Sequence, residues 1–466
     1  MGAIVAILNK EGENAASAAV SMLKELGHRG GDAYGVGSPT YVVTGDFLDE
    51  LNIKEVRSNI VLGHNFLRFS RKEPLQPFSS DGCTFVFEGQ LFPSVKEFDA
   101  KVIAEKLKSN PERGAEQIIR ELKGSYVFAV TERNKILVGR DPVGATPLYY
   151  GENNVFCAVA SERKALWKLD LTDVRSFPPG NLATLTKRGF SFKPVKTIQQ
   201  LRLRSASAEK SAEHLQKLLL RSTYERVSKL KEVAVAFSGG LDSSLLAVLA
   251  KKCTVKPHLI SVGLKGHNEL QHAKKAVEVL DLPFHFQLYT EKDVEKVLPK
   301  VLWLIEEPDF IKTSVAIPIY WSAELASKLG FQVLLAGQGS DELFGGYHKY
   351  LREHAKAGIE GVQKAIYYDV VASYNVNFQR DEQVCAYHKV KLHLPFADWD
   401  VVNFGLSLPV NLKVKSPSDS LRKHILRQVA KNIGFPSFIV NKRKKAIQYA
   451  TGTSQALKKL AKKEKL

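Results

Sequence analysis

The stretch "VAVAFSGGLDSSLLAVLA", beginning at Val233, constrains this chain more than any other. Val233 to Phe237 is an apolar run of buried-strand length. Ser238, Gly239 and Gly240 then make a tight turn, and Asp242, Ser243 and Ser244 open a helix. Such a turn brings backbone N–H groups to one point, where the helix N-terminus adds partial positive charge. Serine hydroxyls supply further donors. The arrangement suits a phosphate, with Asp242 placed to hold Mg²⁺ on it. No G-x-x-x-x-G-K-S/T is present, so the loop is not of the Walker type.

"FQVLLAGQGSDELFGGYHKY", from Phe331, repeats the logic: an apolar strand, glycines, then the acidic pair Asp341 and Glu342. A second carboxylate beside a polyphosphate is what a shared Mg²⁺ requires. Between the two lies "LISVGLKGHNELQHAKKAVEVLDLPFH", a strand, a glycine turn and a helix. Successive strand–helix units predict a parallel sheet with a site at the carboxyl ends of its strands.

The chain changes character near residues 190–210. Before that point come short β-rich runs bounded by Gly, Pro, Asn or Asp, such as "CTFVFEGQLF", "GSYVFAVTER" and "VFCAVAS". After "LRLRSASAEK" helical periods dominate. A chain of 466 residues predicts two or three domains. The expectation is a β-rich domain over 1–188 and an α/β domain over 206–466.

No apolar run approaches the roughly 20 residues of a membrane span. The opening "MGAIVAILNKEGENAAS" lacks the pattern of a secretory signal. Cys83, Cys157, Cys253 and Cys385 are scattered, which argues against a disulfide framework and a zinc site and favours the cytoplasm. The net charge of +18, concentrated in "NKRKKAIQYATGTSQALKKLAKKEKL", admits nucleic acid or another acidic partner, although a solvated basic surface is the simpler account. His28, His64, His285 and His348 share no ligand spacing.

The loop "SGGLDSS" resembles the PP-loop of ATP pyrophosphatases, which cleave ATP to AMP and pyrophosphate while adenylating a substrate. With "VGLKG" and "AGQGSDELFGGY" it is similar to the asparagine synthetase family. The resemblance reaches the first domain, in "LGHRGGDAYGVG", "FEGQLF", "GRDPVGATPLYY" and "ASERKALW", and the later "LPFADWDVV" and "NKRKKAIQY". Within the family, "RDEQVCAYHK" and "KKAIQYATG" look closest to the asparagine synthetase domain-containing subgroup.

The resemblance implies an N-terminal glutaminase-like domain of the Ntn type, an α/β/β/α sandwich, followed by a PP-loop domain. It implies ATP and Mg²⁺ as cofactors, and aspartate or another carboxylic acid and ammonia as substrates. A homo-oligomer is compatible with it. Phe237, Val262, Ala336 and Gly337 would line the adenine and ribose, Ser238, Gly239, Gly240, Ser243 and Ser244 the phosphates, and Asp242 and Asp341 the Mg²⁺. Lys444 or Lys445 would set a cation on the pyrophosphate.

Two departures stand against full family chemistry. The family's nucleophilic Cys falls on Gly2, which has no side chain, and its Asn-Gly-Glu reads Glu88-Gly89-Gln90. A carboxylate where the oxyanion donor belongs would repel the oxyanion. Arg68 and Asp99 match the family's glutamine contacts loosely. The glutaminase is therefore expected to be inactive. The family's base for ammonia attack falls on Gln338, which cannot take a proton. Three functions follow: an ATP-dependent amide ligase using free ammonia, a PP-loop enzyme adenylating another substrate such as RNA, or a non-catalytic nucleotide-binding relative with a protein partner.

Overall fold

Ala3–Asn9, the first strand, has no polar face. Ala3, Val5 and Ile7 enter one apolar cluster and Ile4, Ala6 and Leu8 another, all fully buried. A strand buried on both sides belongs inside a sheet with a layer packed on each face. The computed structural model describes residues 2–68, 73–80, 83–93, 98–108, 110–203, 207–266 and 269–463, in two units, Met1–Thr197 and Ile198–Leu466.

In the first unit that strand is the middle one of a seven-stranded antiparallel sheet. Its neighbours are Ile60–Phe66, with Ile4 opposite His64, and Phe156–Ala160, with Val5 opposite Ala160. The inner face packs on a six-stranded antiparallel sheet through Ile4, Leu62, Val86, Val127 and Val138. Helix Ala16–Glu25 covers the outside of the first sheet. Helices Asp99–Leu107 and Pro111–Glu121 cover the second. The result is an α/β/β/α sandwich. Its last strand, Gly189–Pro194, pairs with Asn181–Thr186 and carries the unit past the boundary expected at 188, because a hairpin cannot be divided from its partner.

Buried charges hold the start of this sheet. The Ile4 N–H donates to Ser161 Oγ at 2.9 Å. Arg29 Nε donates to the Gly2 carbonyl at 3.0 Å, and its Nη1 to Glu162 Oε1 at 3.1 Å. His28 and Lys164 also contact Glu162, which is fully buried. Burial alone would push the Glu162 carboxyl up, but Lys164, His28 and Arg29 outweigh it and hold it well below the usual glutamate range.

The second unit has a five-stranded parallel sheet in the order Phe284–Tyr289, Lys256–Leu264, Glu232–Ala236, Val333–Leu335, Lys391–His393. Val233 and Val235 of the middle strand face helix Leu241–Lys252 at Leu245 and Leu249. Ala234 faces the opposite layer with Ala316 and Ile317 of helix Phe310–Lys328. Helices on both faces open a crevice at the carboxyl ends of the strands. The basic C-terminal helix, Thr453–Lys463, buries Ala456 and Leu457, and its Lys459 pairs with Glu291 at 2.6 Å. Among the described residues no helix is long and apolar enough to cross a membrane, and the four cysteines form no disulfide.

Glu162→Ala would strand Arg29 and Lys164, 0% and 5% exposed, without their shared anion. We expect a loss of about 3–5 kcal/mol in urea unfolding at neutral pH. Because the folded carboxyl titrates below its unfolded value, this contribution is complete above the ordinary glutamate range, about pH 4. It fades as pH falls through the depressed value, so the gap between wild type and variant should narrow only in strong acid.

Candidate active site

The loop after Glu232–Ala236 is closed by its own serines. Ser243 Oγ lies 3.3 Å from the Ser238 N–H and 3.4 Å from Ser238 Oγ, and Ser238 Oγ accepts from the Gly240 N–H at 3.3 Å. Gly239 has φ +63°, and a Cβ there would sit 2.8 Å from Ala273 Cα, so only glycine fits. Gly240 precedes helix Leu241–Lys252, and Ser244 is fully buried within it. Ser243 thus braces the loop.

Asp242 and Asp341 come together from 99 residues apart, joined by two lysines. Lys423 Nζ is 2.7 Å from Asp242 Oδ2 and 2.6 Å from Asp341 Oδ1. Lys444 Nζ is 2.7 Å from Asp341 Oδ2 and 3.8 Å from Asp242 Oδ2. Ser340 Oγ donates to Asp242 Oδ1 at 3.0 Å. Burial opposes the charge on Asp341, yet Lys423 and Lys444 hold its carboxyl far below the usual range. Burial likewise opposes the charge on Lys444, and Asp341 and Asp242 outweigh it and keep its ammonium above the usual range. Lys423 has φ +54°, a left-handed angle uncommon for lysine. Strain of this kind clusters at functional sites.

Glu342 does not join this group. It accepts from Tyr347 Oη and from Asn377 Nδ2. Burial and the neighbouring charge of Asp341 push its carboxyl up.

One cavity gathers most of the nominated residues. Phe237, Val262, Leu334 and Ala336 form an apolar side suited to a flat base. Ser238, Asp242, Ser243, Gly337, Gln338, Asp341, Lys444 and Lys445 form the polar side. An adjoining recess at the N-terminus of helix Leu241–Lys252 is lined by Gly240, Lys423, Arg427 and the run 442–445. Gly239 and Ser244 line neither. Gln338 Nε2 donates to Asp381 Oδ2 at 2.6 Å, and Arg380 Nε to Asp381 Oδ1 at 2.7 Å. Burial raises the Asp381 carboxyl, against the pull of Arg380 and Gln338.

Lys423 and Asp381 escape a sequence reading. "RDEQV" reads as a solvated helical turn, and "LRKHILR" as a basic surface run. A lysine where a helix usually begins with Ser or Asp is the only local signal.

In the first unit Gly2 is buried, and a Cβ built on it would lie 1.9 Å from the Asn65 carbonyl oxygen and 2.9 Å from Glu88 Oε2. Glu88 Oε2 is 3.2 Å from His64 Nε2, a contact not foreseen from sequence. Gly89 and Gln90 continue the same strand, Cys83–Leu91. Arg68 points a guanidinium nitrogen to Asp46 at 3.5 Å. Asp99 accepts from the Leu91 N–H at 2.9 Å. The structure therefore joins Gly2 with Glu88, while Arg68 and Asp99 have partners of their own.

Both units match known families. The model described as glutamine amidotransferase domain matches residues 1–203, and the asparagine synthase model matches 214–360 and 354–465. A Methanocaldococcus jannaschii protein, named provisionally as glutamine-hydrolyzing asparagine synthetase 1, is 31% identical over 99% of this chain and 96% of its own length. The glutamine-hydrolyzing asparagine synthetases of Brassica oleracea and Asparagus officinalis are each 27% identical, over 68% and 74% of this chain. The chain spans 56% and 60% of those plant relatives.

Removing Lys423 leaves two carboxylates facing each other with only Lys444 between them. Lys423→Ala should lower stability by about 3 kcal/mol at neutral pH. Asp341 titrates below its unfolded value, so its contribution is present above the ordinary aspartate range and lost in stronger acid. The deficit of the variant in urea unfolding should therefore shrink as pH falls below about 4.

Proposed function

We propose that this chain, which belongs to the asparagine synthetase family over both its units, activates the β-carboxyl of aspartate with ATP and converts it to the amide with free ammonia. ATP-dependent ligation is the activity of the family. The observation that carries the reading is the Asp242–Asp341 pair, set beside the glycine–serine loop and a cavity with an apolar wall. The base of ATP fits against Phe237, Val262 and Ala336, which leads its phosphates to the loop and the basic recess.

Two carboxylate oxygens and no nitrogen or sulfur donor make a pair suited to a hard cation. Asp242 and Asp341 would hold Mg²⁺, which supplies charge neutralisation on the polyphosphate when bound. Two ammonium groups now neutralise these carboxylates. A carboxylate oxygen of the substrate attacks the α-phosphorus and pyrophosphate leaves. Lys444 and Lys445 offer cations to that leaving group. Ammonia then attacks the acyl carbon and AMP departs.

We infer that the first unit does not hydrolyse glutamine. Gly2 offers no nucleophile, and its Cβ position is occupied by the Asn65 carbonyl. Glu88 stands where an oxyanion donor is needed. Four cysteines without a disulfide among them fit a reducing compartment such as the cytoplasm.

Gln338 favours a second reading, a nucleotide-binding relative that forms no amide. Three measurements separate the two. ATP with Mg²⁺ at a hundredfold its Kd should stabilise the protein by about 2.7 kcal/mol in thermal unfolding, and Asp242→Ala should abolish the shift. Aspartate should elicit exchange of labelled pyrophosphate into ATP. Binding without exchange for aspartate or any other acid selects the non-catalytic reading, and exchange with another acid alone replaces aspartate as substrate. Glutamine should release no glutamate, and Gly2→Cys should lower stability without restoring release. Glutamate formation by the purified wild type overturns the inactive-glutaminase reading.

A further inference from the structure

Among the described residues the Gln338 side chain makes one hydrogen bond, from Nε2 to Asp381 Oδ2 at 2.6 Å. Among the described residues its carbonyl oxygen has no hydrogen-bond partner, and the side chain lines the cavity beside Asp341 and Lys444. Asp381 comes from helix Gln379–Tyr387, on a different element from the loop that carries Gln338. It is fully buried, and its other oxygen already accepts from Arg380.

These contacts leave one orientation for the Gln338 amide. An ionised carboxylate accepts only, so it calls for the NH₂ end, and the carbonyl oxygen turns toward the cavity. A Glu at 338 would place two carboxylates at a hydrogen-bonding distance, and one of them would have to stay protonated. Gln338 and Asp381 are complementary to each other.

We propose that Asp381 is a positioning residue for the nitrogen attack: it holds the Gln338 amide so that Oε1 accepts an N–H of the incoming nucleophile. This rests on the ligase reading above. As the N–C bond forms and the C–O bond to AMP breaks, positive charge develops on the nitrogen. A fixed oxygen acceptor with a carboxylate behind it stabilises that charge, and hydrogen bonds in series strengthen one another. The proton lost by the nitrogen leaves with the phosphate of AMP, so none need reach Asp381, which is fully buried. The nucleophile so recognised is a small N–H donor, and ammonia is the one the reading supplies.

The test uses the full chain and two assays. Pyrophosphate exchange with aspartate reads the adenylation half, and amide formation against ammonia concentration reads the second half. In Asp381→Asn the single oxygen of the new amide goes to Arg380, its NH₂ faces position 338, and the Gln338 amide reverses. The KM for ammonia should rise about tenfold or more, with exchange held within about threefold of wild type. Gln338→Glu should impair amide formation as well, because of the facing carboxylates. The double variant Gln338→Glu/Asp381→Asn restores one carboxylate and one amide in exchanged places, and should recover amide formation to within about fivefold of wild type.

An unchanged ammonia KM in Asp381→Asn overturns the proposal while leaving the ligase reading intact. So does a double variant whose losses simply add, or an equal fall of exchange and amide formation, which is the mark of a merely structural role. No exchange in the wild type with aspartate or any other acid overturns the ligase reading, and this role with it.

Discussion

Lys423 places one ammonium between the carboxylates of Asp242 and Asp341, and the cavity of the second unit is arranged around that contact. Three segments far apart in sequence meet there: the helix start after the glycine turn, the short helix Ser340–Phe344 and the entry to helix His424–Ile433. Taking two carboxylates out of water is unfavourable unless cations accompany them. Lys423 and Lys444 meet that need. A polyphosphate carrying its own metal ion would compete for the same lysines and the same carboxylates. Binding is then an exchange of ion pairs, and its net energy is a small difference between large terms.

The first unit makes a different physical point. It has the layers and strand pairing of an Ntn-type sandwich, with a buried charge network at the start of its first sheet, and a Cβ on Gly2 would meet the Asn65 carbonyl. The sheet is held by Glu162, Arg29 and the two-faced strand Ala3–Asn9, none of which needs a side chain at residue 2. Arg29 donates to the Gly2 carbonyl, which fixes the backbone at the start of that strand.

Much of this was legible in the chain itself. Strand–turn–helix units in "VAVAFSGGLDSS" and "VLLAGQGSDE" announce both the parallel sheet and the placing of Asp242 and Asp341, because backbone geometry at a glycine turn is local. Gly2 and Gln338 are single-letter departures and need no structure to be noticed. The residues that were missed act across the fold. Asp381 looks like one more surface charge until helix Gln379–Tyr387 is seen to bury it against Gln338. Lys423 sits in a basic run, and only its left-handed backbone and two acidic partners single it out. His64 meets Glu88 only because their two sheets face each other. The boundary at 188 fell short for the same reason: the final strand belongs to its hairpin partner, a pairing that composition does not reveal.

The central place of Ala3–Asn9 has a consequence for how the molecule comes into being. Its two flanking partners are Ile60–Phe66 and Phe156–Ala160, so Val5 finds Ala160 only after some 150 residues have been added. At typical synthesis rates that interval is on the order of ten seconds. During it the strand has sheet neighbours on one flank only, through Ile60–Phe66, and its other edge waits for Phe156–Ala160. Pairing at such sequence separation raises contact order and slows folding. A chain of this topology is therefore exposed to holding chaperones at its beginning, and substitutions that make this strand less apolar would trade core stability against fewer encounters of that kind.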